Sequence, residues 1–411
     1  MISQINPFLL KLTYFSIWSL ALFSFVSLSA TALSHILIVV PGLVYFIQKA
    51  RSGDLKIEKS SWALIAMIVV GTLSILNAPD VNNKVKMIFK LKYLMIGFLA
   101  IFPMRELFKT LKAKQVSIVV SVFLVLLAIG NIAGIYALFS QYHPLRMKPA
   151  SDPWRAAGMY GMAITYGYGI ELILILMTGL AWVLKKKISA FVNPYIFWVS
   201  YFTTVAGFYF AFARGAMLAF IFSIPFLFIK TNKKIFLSLL GIGTAGMLAI
   251  LLMVWNGSDG GNRFFLKAKT ESNMIRLSQY EAAVKGWLEK PLLGWGYRNF
   301  EPNAFDIKKR NGINFAEFYG HAHNNYLEYL ASTGIFGFLS ILLFVFFWFW
   351  EVLKRSDHFG LIMVPLVVSF AISGLFQNTI NDGENMFVIM FLYSLTQALN
   401  NREVNFGKAN S

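Results

Sequence analysis

Long apolar runs alternate with short polar breaks along most of the chain. A helix needs roughly 20 mostly apolar residues to cross the hydrocarbon core of a bilayer. Runs of that kind predict spanning helices near 8–28, 31–48, 62–78, 87–103, 116–138, 162–184, 194–212, 214–230, 234–255, 334–353, 359–377 and 385–400. The expected fold is an all-α integral membrane protein with about 12 transmembrane helices. Very short connections join 8–28 to 31–48 and 194–212 to 214–230, so each pair is expected to form an antiparallel hairpin. Ala30-Thr31-Ala32 resembles a signal-peptide cleavage site. Only Lys11 charges the preceding run and another apolar run follows at once, so an uncleaved first transmembrane helix is expected.

One stretch departs from this rhythm. The polar segment 256–333, between the ninth and tenth runs, is too long for a simple connection, and loops of that size are usually functional. The chain therefore reads as a single polytopic membrane domain, 1–411, with 256–333 as a large helical loop within it. In the loop, Met274, Leu277, Tyr280, Val284, Trp287 and Leu288 recur at helical spacing ahead of Pro291. That pattern predicts an amphipathic helix lying on the membrane domain, followed by a turn at Gly294-Trp295-Gly296.

Composition supports lipid as part of the solvent: 57% of residues are hydrophobic and only 14% charged, with a mean hydropathy of +0.62. A soluble domain of this length could not bury so much apolar surface. The absence of Cys excludes disulfides and thiolate metal sites. No GxxxxGK[ST] loop is present, so ATP is not expected as the energy source.

Charge sets the orientation. One set of alternate short loops carries Lys49, Arg51, Lys56 and Lys59, then Arg105, Lys109, Lys112 and Lys114, then Lys185-Lys186-Lys187, then Lys230, Lys233 and Lys234, then Lys354 and Arg355. The positive-inside rule makes that side cytoplasmic, together with both termini. The loop 139–161, the Phe212–Gly215 turn, the segment 256–333 and Gln377–Asn385 then lie on the outer side. The net charge of +18 divides between this orienting set and cations on the outer side, which suit an anionic substrate rather than nucleic acid.

Two features of the outer side could carry chemistry. Arg214 sits in a tight turn between apolar helices, where a guanidinium either snorkels to lipid headgroups or binds an anion. His321-Ala322-His323-Asn324-Asn325 offers a pair of imidazoles. They could ligate a metal, although no further ligand is obviously placed, or one could act as general base with a pKa suited to neutral pH. The bland reading is a helix start capped by Asn324 or Asn325. Lys86 and Lys90 share a helix face near the outer interface, where headgroup snorkelling is the simpler reading. Fixed cations, a base and a membrane setting together suit group transfer from a lipid-linked phosphate or pyrophosphate donor. A transporter is the non-enzyme alternative.

The sequence resembles the bacterial O-antigen ligase family of the O-antigen ligase/polymerase superfamily. His323-Asn324, nine residues, then Gly334-Ile335-Phe336-Gly337 follow that family's H-[NSQ]-x9-G-x-x-[GTY] signature. FARGAML resembles its Arg-containing turn, giving Arg214, and NMIRLSQYEAAVKGWLEKPLLGWG resembles its loop helix, giving Arg276. WRAAGMYGMAITYGYG, with Arg155, and NDGENM, with Asp382, are similar to a Gly-rich helix start and a polar turn of the family.

The resemblance implies an inverting, GT-C-like glycosyltransferase of lipopolysaccharide biosynthesis in the bacterial inner membrane, needing neither metal nor other cofactor. Undecaprenyl-pyrophosphate-linked glycan would be the donor and a sugar hydroxyl of lipid A–core the acceptor, on the periplasmic face. His323 would be the catalytic base, and Arg214 and Arg276 would hold the donor pyrophosphate. Arg155, His321, Asn324 and Asp382 are lesser candidates. An O-antigen polymerase or a protein O-oligosaccharyltransferase would use the same donor.

Overall fold

A computed structural model describes residues 6–23, 28–79, 81, 83–183, 188–190, 192–255 and 271–399. Lys185-Lys186-Lys187, the first part of the long polar segment (256–270) and residues 400–411 lie outside the described residues. Where described, the predicted apolar runs are helical. Among the described residues, four helices are long and apolar enough to cross a membrane by length and composition: Lys59–Asn77, Ala113–Ser140, Ala163–Val183 and Asn325–Lys354. They support a multi-pass membrane protein. The shorter apolar helices include Pro7–Phe23 and His358–Ser373.

The run expected at 87–103 departs most from a single helix. It comprises Lys84–Ile88, a 3-10 turn Phe89–Leu91, then Lys92–Leu99 and Ile101–Leu107. Pro103 explains the second break, because it has no N–H to donate to Leu99 and its ring crowds that carbonyl.

Helices Lys59–Asn77, Asn325–Lys354, His358–Ser373 and Gly383–Ala398 share the largest buried core. Trp348 is its hub, with ring centroids 5.6 Å from Phe344, 5.9 Å from Phe370 and 5.2 Å from Tyr393. A second core centres on Ala163–Val183 and includes residues of Ala113–Ser140 and Pro194–Phe210.

The basic loops meet at one end. Lys49 lies 3.7 Å and Lys109 2.6 Å from Glu106, Arg105 donates to the Lys56 carbonyl at 3.0 Å, and Lys230 donates to the Arg355 carbonyl. Helix Asn325–Lys354 has 30 residues, roughly 45 Å at 1.5 Å per residue. Its C-terminus stands at this basic end, so the His321–Asn325 motif stands at the opposite one.

In the long polar segment, Glu271–Glu289 is a helix as expected, and it docks through its small residues. Ser278, Gln279, Ala282 and Ala283 are buried, with the two alanines packed in a small core with Phe300, Ala304, Ile307 and Ala331. The stripe read from the sequence is only partly covered: Leu277 is 55% and Leu288 58% exposed, Met274 and Val284 are exposed too, and Tyr280 and Trp287 are half-buried. Small side chains let the helix approach its neighbours closely, whereas Leu277 and Leu288 point away from them, exposed as Phe336 and Leu343 of Asn325–Lys354 are.

Gly334 fixes the loop to the membrane helix. It interrupts Asn325–Lys354 with φ 65° and ψ −165°, a region open essentially to glycine. The break frees the Ala331 and Ser332 carbonyls, which accept from the N–H groups of Trp295 (3.0 Å) and Gly296 (2.8 Å), while the Ile335 N–H donates to the Pro291 carbonyl (2.9 Å). A Cβ at 334 would overlap the Leu292 carbonyl. Gly334→Ala should therefore cost more than about 2 kcal/mol, from forced backbone geometry plus overlap with main chain. The check is a thermal melt in detergent together with proteolysis at 291–296; an unshifted melt and an intact loop would contradict it.

Candidate active site

The His motif lies between the loop and the first turn of Asn325–Lys354. Asn324 caps that helix, its side chain accepting from the N–H groups of Tyr326 (2.9 Å) and Leu327 (3.0 Å), and its amide donates to the Leu375 carbonyl at 3.1 Å. Of the two asparagines weighed as cap, it is Asn324. Asn325 instead ties the helix to the turn before Gly383–Ala398, donating to Thr379 Oγ1 at 3.0 Å and accepting from the Ile380 N–H at 3.1 Å. Buried Glu328 accepts from the Ala322 N–H at 2.9 Å. These bonds hold the His motif on three sides.

His323 has φ 47°, a left-handed backbone uncommon outside glycine and often found at functional sites. Its Nδ1 lies 2.8 Å from Gln377 Oε1. Since that oxygen only accepts, Nδ1 carries the proton and Nε2 keeps its lone pair. Nε2 makes no hydrogen bond among the described residues. The His323 backbone N–H donates to His321 Nδ1 at 3.1 Å, and the two rings stand 4.2 Å apart.

Both imidazoles are half-buried. Burial, then the nearby Arg276 and Arg298 charges, push His321 down to about 4. Burial first, with the His321 ring and Arg276 adding to it, lowers His323 to about 4 as well, against a smaller upward effect of Gln377. The sequence expectation of a pKa near its ordinary value is thus corrected: the ring is desolvated and faces cations. The ring is neutral at physiological pH and able to take a proton. A bound polyanion would offset the guanidinium charges and raise its basicity when the donor is in place.

A base works unprotonated, so activity should fall as pH drops through its pKa. For the free enzyme, kcat/KM should hold from pH 7 down to about 5 and fall only near 4. A limb near 6.5 would mean a solvated ring and would count against this geometry.

Arg276 and Arg214 approach this point from different elements. Arg276, half-buried on Glu271–Glu289, acts electrostatically on His321, His323, Tyr168 and Tyr280. Tyr280 donates to the Leu375 carbonyl at 3.3 Å, so this helix touches the turn that holds Gln377. Arg214 is exposed at the first position of helix Arg214–Ser223. Gly215 beside it packs so closely that a Cβ would strike Tyr168 and Phe376. Tyr168 is therefore a neighbour of both arginine-bearing segments, and Phe376 adjoins Gln377.

The lesser candidates divide. His321 and Asn324 belong to the cluster. Asp382 caps Gly383–Ala398, accepting from the Glu384 N–H at 3.0 Å, and burial raises its pKa. The Gly-rich segment meets its turn: the Gly161 N–H donates to Glu384 at 3.3 Å, and a Cβ at Gly169 would press on Asn385. Arg155 is engaged elsewhere, 2.7 Å from Asp152. Among the described residues no three His, Cys, Asp or Glu side chains group as a metal would require. Gln377, Tyr168 and Arg298 were not singled out in the sequence. A glutamine ending an apolar run and a tyrosine in a Gly-rich helix give no local sign of partners brought in by distant segments.

Residues 199–342 match the family model described as O-Antigen ligase. The matched stretch contains Arg214, Arg276, His323 and the Gly334 break. No curated protein matches the chain. The apolar spanning helices together with this match support one class, multi-pass membrane enzymes. Within it, the match supports the O-antigen ligase/polymerase superfamily, the resemblance carried by the His and Arg motifs.

Proposed function

We propose that the protein is an O-antigen ligase of the bacterial inner membrane, transferring a glycan from undecaprenyl pyrophosphate to a sugar hydroxyl of lipid A–core on the periplasmic face. The observation that carries this reading is His323, whose Nδ1 is held by Gln377 and whose free Nε2 lies in the field of Arg276. Nε2 accepts the proton of the acceptor hydroxyl as its oxygen attacks the anomeric carbon from the face opposite the pyrophosphate. The bond from that carbon to the pyrophosphate oxygen breaks, and the product is inverted. The leaving pyrophosphate takes up the electron pair, its growing charge met by Arg214 and Arg276. Neither metal nor nucleotide enters this scheme, so chelation should leave activity intact.

A polymerase would run the same chemistry with a second lipid-linked glycan as acceptor. Deletion separates the two: loss of all capped lipopolysaccharide is expected for the ligase, whereas a cap of one repeat unit would identify the polymerase. Undiminished, fully laddered lipopolysaccharide would set aside both.

The proposed orientation places the His end outside. The chain has no native Cys, so single cysteines report cleanly. Asp306→Cys, on an exposed helical position of the loop, should react with an impermeant maleimide in spheroplasts, and Ser52→Cys at the basic end should react only after lysis. The reverse pattern would invert the topology.

A further inference from the structure

A second pair of cations lies at the His end, and the donor chemistry does not use it. The stapled loop carries Tyr297 into the membrane domain, its N–H donating to Ser74 Oγ at 3.0 Å. A Cβ built on Gly71 would stand 2.9 Å from Leu91 and 3.8 Å from Tyr297, so these two side chains meet over one glycine. Their chain neighbours, Lys90 and Arg298, are thereby brought together, both half-buried. Tyr93 adjoins them, and its hydroxyl would stand 2.8 Å from a Cβ at Gly383, beside Asp382. Among the described residues, neither Lys90 nor Arg298 has an ion-pair or side-chain hydrogen-bond partner. Arg298 also has φ 57°, a strained backbone of the kind that clusters at ligand clamps.

The position of this pair relative to the histidines is informative. Arg276 acts on Tyr168 and Tyr280, Arg298 on Lys90, Tyr93 and Asp382, and both act on His321. His321 thus lies in the field of both cationic groups, and His323 beside it feels Arg276. In an inverting displacement the acceptor enters opposite the leaving group. If Arg214 and Arg276 hold the leaving pyrophosphate, the acceptor lies on the Arg298 side. The carboxylates there are Glu301, which acts on Lys90, and Asp382 and Glu328, which feel Arg298; none forms an ion pair with either cation. Two like charges that act on each other in a partly desolvated place, with no direct ion pair to a protein carboxylate, suit an anionic ligand.

We propose that Lys90 and Arg298 form an acceptor subsite that binds a phosphate or carboxylate group on the acceptor glycan. This rests on the proposed transferase reading and adds a substrate requirement to it: the acceptor is anionic near the hydroxyl that is glycosylated.

The test crosses enzyme charge with acceptor charge. Purified protein in nanodiscs is given the core acceptor either intact or with its phosphates removed and carboxylates reduced. Lys90→Gln and Arg298→Gln should each raise the KM for intact acceptor about 10-fold, the loss of one charge-assisted contact. The donor KM should not move, and Arg298→Lys should recover part of the loss. On the neutralised acceptor, wild type and variants should share one raised KM. Equal effects of the variants on both acceptors, or a shift in donor KM instead, would overturn the subsite. Equilibrium binding of the two acceptors is measured in parallel. Charge-dependent binding that Arg298→Gln abolishes, with no glycan transfer by the wild type, would refute the transferase reading and leave the subsite standing. Binding indifferent to acceptor charge would refute the subsite alone.

Discussion

His323→Ala should lower turnover by ~10²–10⁴, the usual contribution of a positioned general base, while affinity for the lipid-linked donor survives. The split follows from the geometry. Among the described residues the imidazole has one fixed hydrogen bond, from Nδ1 to Gln377, and its other nitrogen is free for a proton that moves only during reaction. The donor's charge is assigned to guanidiniums on other elements, so a truncated ring leaves them in place. His321→Ala should be milder: His321 Nδ1 accepts the His323 N–H, supporting the loop but not the transferred proton. Gln377→Ala should fall between them, since without Oε1 the ring can adopt the tautomer that protonates Nε2. The measurement is single-turnover transfer with purified donor and core acceptor, beside donor binding and a thermal melt of each variant. Comparable, complete losses in His321→Ala and His323→Ala with unaltered melts would point to a joint role, such as ligation of a metal, in place of a single base. Parallel loss of donor binding in His323→Ala would move the residue into the donor site.

How much of this was legible in the sequence depends on the range of the interactions. Helices were legible because a bilayer imposes a length and an apolar composition on each run separately. A helix cap at Asn324 or Asn325 was legible because capping acts within three residues. The docking face of Glu271–Glu289 was not legible, because periodicity reports an apolar stripe but not what covers it. Close packing goes to Ala282 and Ala283, while Leu277 and Leu288 of that stripe stay exposed. The break at 100 inside the run 87–103 could have been suspected from Pro103. Gly334 stood out as part of a motif, yet its physical task, opening two carbonyls to the Trp295-Gly296 turn, needs a partner about 40 residues upstream. Gln377 and Arg298 were hidden for the same reason: their importance comes from residues more than 20 positions away. The imidazole pKa was read as ordinary because desolvation and neighbouring guanidiniums are properties of the assembled site.

Arg214→Lys and Arg276→Lys should each impair transfer although both keep the positive charge. A pyrophosphate in the act of leaving presents adjacent oxygens, and a planar guanidinium can donate to two of them at once; an ammonium acts as a point charge. The two arginines are fixed by different means. Arg214 begins a helix whose next residue, Gly215, is wedged against Tyr168 and Phe376, and Arg276 is carried by the loop helix that contacts the same region through Tyr280. Both segments meet around Tyr168, which suits two guanidiniums bracketing one ligand. Groups acting on one ligand as a unit are non-additive, so the double Ala variant should be little worse than the poorer single one. Each single Ala variant should lose ~10²–10³ in turnover, the scale seen when one preorganised donor to a developing charge is removed. Donor affinity should fall less than turnover, because the charge to be stabilised is greatest as the bond breaks. Transfer assays with donor-binding measurements on the Lys, Ala and double variants decide the matter. Wild-type rates in both Lys variants would reduce these residues to simple positive charges. Losses that multiply in the double variant would place the two arginines on separate ligands, and unimpaired Ala variants would remove them from the active site.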